Sequence, residues 1–248
     1  MQEKTLVQTK YRLAHDPVFY IMVGFFALIT TALPTVLSQP RFLPLAQTLC
    51  LFVMLAIPVR QRLARQAMIT LSIWLVVQLM TMSLITWFAP SQVEGAIGDG
   101  FIYRRAYLEW FFATGPAPDS FFVQPFNRVV ELIGVLVGSL ISGGLIGVWF
   151  LTRATNLAGF GVGSLLIPLQ GATSLVAALP IWTLVRLAGY GGLIALLAEP
   201  LLTGHWALGY YWQERRPLLL WAVGLVALGL LLEAILPSFW RTLFQPVF

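Results

Sequence analysis

The sequence predicts an all-α fold: a polytopic transmembrane helical bundle of six to seven spans, with an amphipathic aromatic helix at the membrane interface. Three observations carry this. The chain is 58% hydrophobic and only 10% charged, where soluble domains average about 25% charged residues. Its apolar runs recur from end to end at lengths of about 20 residues, enough to cross a hydrocarbon core about 30 Å thick. Its basic residues gather in short clusters at the ends of those runs, the pattern that sets topology and meets anionic lipid. A soluble core of this length cannot hide so much apolar surface. The net charge of +5 therefore does not point to nucleic acid.

Residues 1–16 are polar and mixed in charge, with Lys4, Lys10 and Arg12 against Glu3 and Asp16. They predict a short cytoplasmic tail and no cleavable signal peptide, since the apolar run that follows is long enough to stay as an anchor. The first span is expected over 17–37, with Pro17 in its first turn and Pro34 as a possible kink. Spans two and three are expected over 42–59 and 67–89, separated by Arg60, Arg62 and Arg65, a cytoplasmic marker.

Residues 90–128 form the long polar-containing segment. Its start is rich in Gly and acid and predicts a loop. Within Phe101–Ala113, Arg104, Arg105 and Glu109 fall in an arc of about 140°, and Phe101, Trp110 and Phe111 lie among the aromatics that fill the rest. This suits either a helix at the membrane–water boundary or a lid packed on the bundle. Phe101, Arg104, Arg105, Trp110 and Phe111 are the candidate contact surface for a partner, a lipid or an entering substrate.

The fourth span is expected over 129–151, as the central helix. Gly134, Gly138 and Ser142 repeat every fourth residue, and Gly143 and Gly147 do the same about 160° away. Lipid is as apolar as leucine, so close backbone approach at small residues is what holds helices together in a bilayer. Two such stripes predict close neighbours on both sides. Thr152–Asn156, with Arg153, is expected as a turn. The nearly uncharged stretch 157–203 predicts spans at 157–176 and 180–202. Pro168 and Gln170 suggest a bent or broken helix in the first of these, and a re-entrant pair is the alternative. Trp206, Tyr210, Tyr211 and Trp212, with His205, form an aromatic belt before Arg215 and Arg216. The last span is expected over 217–237. With seven crossings, nine basic residues fall on the N-terminal side against five opposite. This predicts a cytoplasmic N-terminus, and six crossings give a less polarised eight against six. A bacterial plasma membrane is the expected location.

Glu131, Arg186, Glu199 and Glu233 lie in or at the edge of spans. Such charges are costly in a bilayer and are functional suspects. Three roles are open to them: interfacial or structural pairing, a buried pair of Arg186 with one glutamate, or a proton or substrate path. No catalytic signature, cofactor motif or metal-ligand cluster appears. His15 and His205 are the only histidines, and Cys50 is the only cysteine. Ser142-Gly143 fails the GxSG pattern because residue 140 is Leu. The aspartates Asp16, Asp99 and Asp119 lie outside the helices, and HExxH and GxxxxGK[ST] are absent. The first expectation is thus a non-catalytic membrane subunit or scaffold, with the bilayer and other membrane chains as partners. The second is a permease component energised by a partner chain. A lipid-modifying enzyme ranks third.

Overall fold

The computed structural model describes residues 13–113, 115–118, 120, 121, 123–169, 173–206, 209 and 213–244. They form an all-α bundle with seven helices long and apolar enough to cross a membrane. The elements are α1 (Pro17–Val36), α2 (Phe42–Arg60), α3 (Ala64–Phe88), α4 (Pro90–Ala96), α5 (Gly100–Phe112), α6 (Pro125–Ser142), α7 (Leu145–Leu166), α8 (Ser174–Ala178), α9 (Ile181–Thr203) and α10 (Arg216–Phe244). Spans one, two, three, six and seven lie where the apolar runs predict them, to within a few residues at most starts. The far end of α10 differs more, because Pro237 is carried inside the helix, which runs on to Phe244. Residues 1–12 of the N-terminal tail, Gln170 and the belt residues Tyr210, Tyr211 and Trp212 lie outside the described residues.

Helix starts follow from local chemistry. Asp16 accepts a hydrogen bond from the Val18 amide at 2.8 Å and Pro17 occupies the first turn, the arrangement that satisfies an otherwise orphaned N–H. Pro90 and Pro125 likewise occupy the first turns of α4 and α6, there without a side-chain cap.

Spans four and five differ from expectation. Span four ends at Ser142, and Gly143 and Gly144 turn the chain with φ of +63° and +99°. Backbone of this kind is open to glycine and strained for other residues. The Ser142 hydroxyl bonds back to the Gly138 carbonyl and accepts from the Ile146 amide at 2.9 Å, so it stabilises the corner. The expected stripe of Gly143 and Gly147 is therefore broken by a hairpin, and Ser142, the last member of the other stripe, stands at its corner. Gly134 and Gly138 do mediate close packing, but against the returning helix: a side chain there would strike Phe150 or Ile146. Gly147 receives Ser139 and Ile194 in the same manner.

Thr152–Asn156 is not a turn but the middle of α7. Its polarity serves the interior. Asn156 donates to Gln47 at 2.7 Å and accepts from Gln78 at 2.7 Å, Gln78 also donates to the Thr152 carbonyl at 2.8 Å, and Gln47 donates to Thr31 at 2.8 Å. Trp74 donates to Gln78 at 2.9 Å. One amide network thus joins α1, α2, α3 and α7 at the core.

The centre of the bundle also moves. In their most apolar stretches α7 and α9 are 67% and 72% buried, whereas α6 is 33% buried and sits at the periphery. The most extensive packing joins α9 to α10 and α3 to α7. After α3 the chain runs across one end of the bundle as α4 and α5. Tyr107, Trp110 and Phe111 of α5 are buried there against Trp182 and Trp240. Trp110 and Trp182 meet edge to face with ring centres 6.0 Å apart. The α5 segment is thus a lid packed on the bundle. Trp110 and Phe111 are not part of an outward contact surface, while Phe101 remains 66% exposed.

Candidate functional site

Four charged side chains from three spans meet near the α5 end of the bundle. Arg128 and Glu131 stand one turn apart at the start of α6, Arg186 is in the second turn of α9, and Glu233 is in the later part of α10. Arg128 Nη1 lies 2.7 Å from Glu131 Oε2, and Arg128 Nε lies 3.0 Å from Glu233 Oε1. The second oxygen of Glu233 pairs with Arg186, whose guanidinium lies 5.9 Å from the Tyr190 ring centre. All four are at least nine-tenths buried. Glu233 therefore bridges two arginines that neither helix could hold in apolar surroundings alone.

A buried pair of Arg186 with one glutamate is one of the three roles the sequence leaves open, and in the structure Arg186 pairs with Glu233. Glu131 joins the same cluster. Glu199 stands apart at the opposite end of α9, where Arg215 Nε lies 3.3 Å from its Oε2 and Arg215 Nη2 donates to the Arg62 carbonyl at 2.9 Å. That group ties the α9–α10 connection to the α2–α3 turn. On α5, Arg104 pairs with Glu94 at 2.8 Å and Arg105 with Glu109 at 2.7 Å. The Arg105 pair is exposed. Its hydrogen bond and charge contact with Glu109 push the guanidinium further up from a value already far above neutral.

A cavity of about 100 Å³ opens beside the cluster, between α5, α6, α7 and α9. Its polar wall includes Asn127, Arg128, Glu131, Arg153, Thr183 and Arg186. The space is enough for several waters or a small solute. Arg153 is exposed and makes no ion pair or hydrogen bond with the described residues. It sits eight residues into α7, roughly 12 Å from the helix start, a depth at which an unpaired guanidinium is costly. Three further polar atoms around the cavity are buried without a hydrogen-bond partner among the described residues: Glu131 Oε1, Thr183 Oγ1 and Arg186 Nε.

The two interior polar groups thus differ in kind. The amide network around Asn156 is closed, each amide being used within the protein, and this suits a structural joint. The charge cluster is left open toward a cavity, an arrangement compatible with a binding site. A π-helical turn, Gly134–Gly138, follows Glu131 directly. Such turns lodge an extra residue in a helix and recur at functional sites.

Sequence reasoning missed Arg128, Arg153, Thr183 and Asn127 as site residues. From the sequence alone Arg128 reads as a loop charge and Arg153 as a turn charge. The available clue was the spacing of Arg128 and Glu131, one helical turn apart at the head of an apolar run. Among the described residues no group of three or more His, Cys, Asp or Glu is placed to hold a metal ion. Comparison of the chain with protein-family models, with curated proteins and with solved structures finds no match.

Proposed function

We propose that this multi-pass membrane protein is a permease component, and that the cavity beside Arg128, Glu131 and Arg153 is its solute-loading site. The observation that carries the proposal is the open cluster: charged and polar groups held inside the bundle at a cost, short of partners, on the wall of a cavity. A purely structural cluster gains stability by closing every hydrogen bond, as the Asn156 network does. A site that must load and release a solute keeps bonding capacity in reserve. The chain has no GxxxxGK[ST] loop, so any ATP drive would come from a second chain. That joins this proposal to the subunit role expected from the sequence. The scaffold reading by itself gains no support from the outward apolar side chains, because lipid covers such faces as well as a partner does.

The recut spans also bear on orientation. Arg153 leaves the loops. With Arg128 likewise inside its span and left out, Lys4, Lys10, Arg12, Arg60, Arg62, Arg65, Arg215 and Arg216 fall on the N-terminal side, and Arg41, Arg104, Arg105 and Arg241 on the other. This asymmetry favours a cytoplasmic N-terminus in a bacterial plasma membrane, with the cavity mouth facing out.

The test is a comparison of solute profiles in cells that express the wild type, Arg153→Gln or no copy of the chain, at matched membrane abundance. The expected result is at least one solute whose cellular level shifts with the wild type and not with the variant. Identical profiles in all three strains would overturn the proposal.

A further inference from the structure

We infer that the cavity takes a small zwitterion, a group that carries an oxyanion and a primary ammonium close together. This deepens the loading-site proposal above and rests on it.

Charge comes first. The cluster and cavity wall together hold Arg128, Arg153 and Arg186 against Glu131 and Glu233, one positive charge in excess. The pairings of Arg128 and Arg186 use both glutamates, so the excess resides on Arg153. In a partly dehydrated wall an uncompensated guanidinium draws an oxyanion, and its planar fork matches a carboxylate or phosphate. Asn127 and Gln124 stand at the same wall as further polar groups.

An anion alone leaves the site incomplete. Glu131 Oε2 is paired with Arg128, but among the described residues neither Glu131 Oε1 nor Thr183 Oγ1 has a hydrogen-bond partner. A carboxylate oxygen only accepts hydrogen bonds, so it calls for a donor and repels a second anion. A ligand with an oxyanion at Arg153 and an N–H donor at Glu131 Oε1 and Thr183 Oγ1 satisfies both ends. A primary ammonium supplies three donors, whereas a quaternary ammonium supplies none. The cavity of about 100 Å³ admits a group of that size and no large solute. Free amino acids carry this chemistry, and so does the headgroup of an ethanolamine phospholipid.

The test measures binding to the purified full chain in nanodiscs of phosphatidylcholine alone, by calorimetry, with two matched pairs of probes. Glycine is set against its trimethylated form betaine, and phosphoethanolamine against phosphocholine. The expected result is that the primary ammonium member of at least one pair binds ten-fold or more tighter than its trimethylated partner. Arg153→Gln should lower that affinity at least ten-fold. Arg153 has no described ion partner, so this variant leaves the cluster's own pairs in place. A response to glycine alone identifies a free amino acid as the source. A response to phosphoethanolamine, with phosphatidylethanolamine retained in mass spectra of the intact protein, identifies a lipid headgroup. Equal binding within both pairs, unchanged binding in Arg153→Gln, or no binding of any probe overturns the inference. Inorganic phosphate bound in an Arg153-dependent manner, with no ammonium preference, overturns the zwitterion and leaves the loading site standing. The loading site is judged separately by the solute profiles, which use none of these probes.

Discussion

Arg186 and Glu233, each 1% exposed, pair across the interface of α9 and α10 at a point where Gly229 brings the two backbones together. A methyl group added at Gly229 would lie 2.8 Å from the Arg186 backbone. Arg186 can reach Glu233 because the helices are in near contact there, and the pairing in turn makes an intramembrane arginine tolerable. The two features depend on each other, and each can be broken separately.

The two members of the pair should not be equally sensitive. Glu233 also holds Arg128, and Arg186 meets no other carboxylate among the described residues. Glu233→Gln therefore orphans Arg186 and weakens Arg128, while Arg186→Met leaves Glu233 with Arg128. Removal of one partner of a buried pair costs about 3–5 kcal/mol. The expected outcome is that Glu233→Gln falls in that range and Arg186→Met costs clearly less, read by reversible denaturation in mixed micelles. Equal losses would mean that the bridge through Glu233 is not what holds the cluster.

Gly224 and Gly229 stand five residues apart on α10 and should respond in opposite directions. Nothing lies within 4 Å of a methyl group at Gly224. Gly224→Ala should therefore be neutral or stabilise by up to about 1 kcal/mol through helix propensity. Gly229→Ala should cost about 1–3 kcal/mol, because backbone opposite it cannot yield as a side chain would. Melting temperatures of the two variants in the same detergent decide the matter.

Legibility of the fold tracked hydrophobic length. Five of the seven spans were readable because long apolar runs ended in Arg clusters, Pro or Gly. The hairpin of α6 and α7 was not, because the apolar run from Val129 to Leu151 passes straight over the Gly143–Gly144 corner. Within α7, Thr152 and Asn156 carry the polarity of a loop and serve a buried network whose partners, Gln47 and Gln78, lie far away in sequence. The same holds for the site. Glu131, Arg186 and Glu233 were visible as charges in apolar surroundings. Arg128 and Arg153 were hidden because a guanidinium at a supposed helix end reads as a topology signal.

The Asn156 network is expected to behave as a structural joint. Asn156→Leu removes its bonds to Gln47 and Gln78 and strands their amides. At about 0.6 kcal/mol for an average interhelical hydrogen bond in a membrane, with more for groups left unsatisfied, the loss should be about 2 kcal/mol. The solute profile at matched abundance should not change. A large stability loss with normal solute handling assigns the network to the fold, and altered handling would place Asn156 on the solute path.

The crossings can be tested with single cysteines in a Cys50→Ser background. Gln61 and His205 lie at connections on the N-terminal side, and Gln39 and Gly98 at the opposite end. All four are exposed. A membrane-impermeant thiol reagent applied to intact cells should label Gln39→Cys and Gly98→Cys, and should reach Gln61→Cys and His205→Cys only after the membrane is opened. Labelling of His205→Cys together with Gly98→Cys would require an even number of spans between them, where α6, α7 and α9 make three, and would refute the hairpin of α6 and α7 as two crossings.

Arg153 gives the sharpest separation of stability from function. A residue kept for the fold destabilises the protein when it is removed. Arg153 pairs with no described residue and sits at a depth where an arginine costs up to about 3 kcal/mol on insertion scales, less where water reaches it. Arg153→Leu should therefore raise the melting temperature, by an amount equivalent to about 1–2 kcal/mol after that discount for the cavity. It should also abolish the solute shift seen with the wild type. Functional sites hold such unfavourable groups at the expense of stability, and their removal trades activity for a firmer fold. Thermal unfolding of the detergent-purified variant reads the first effect and the cellular solute profile the second. If Arg153→Leu melts lower than the wild type, Arg153 has a structural partner, and the open cavity wall is not the reason it is there.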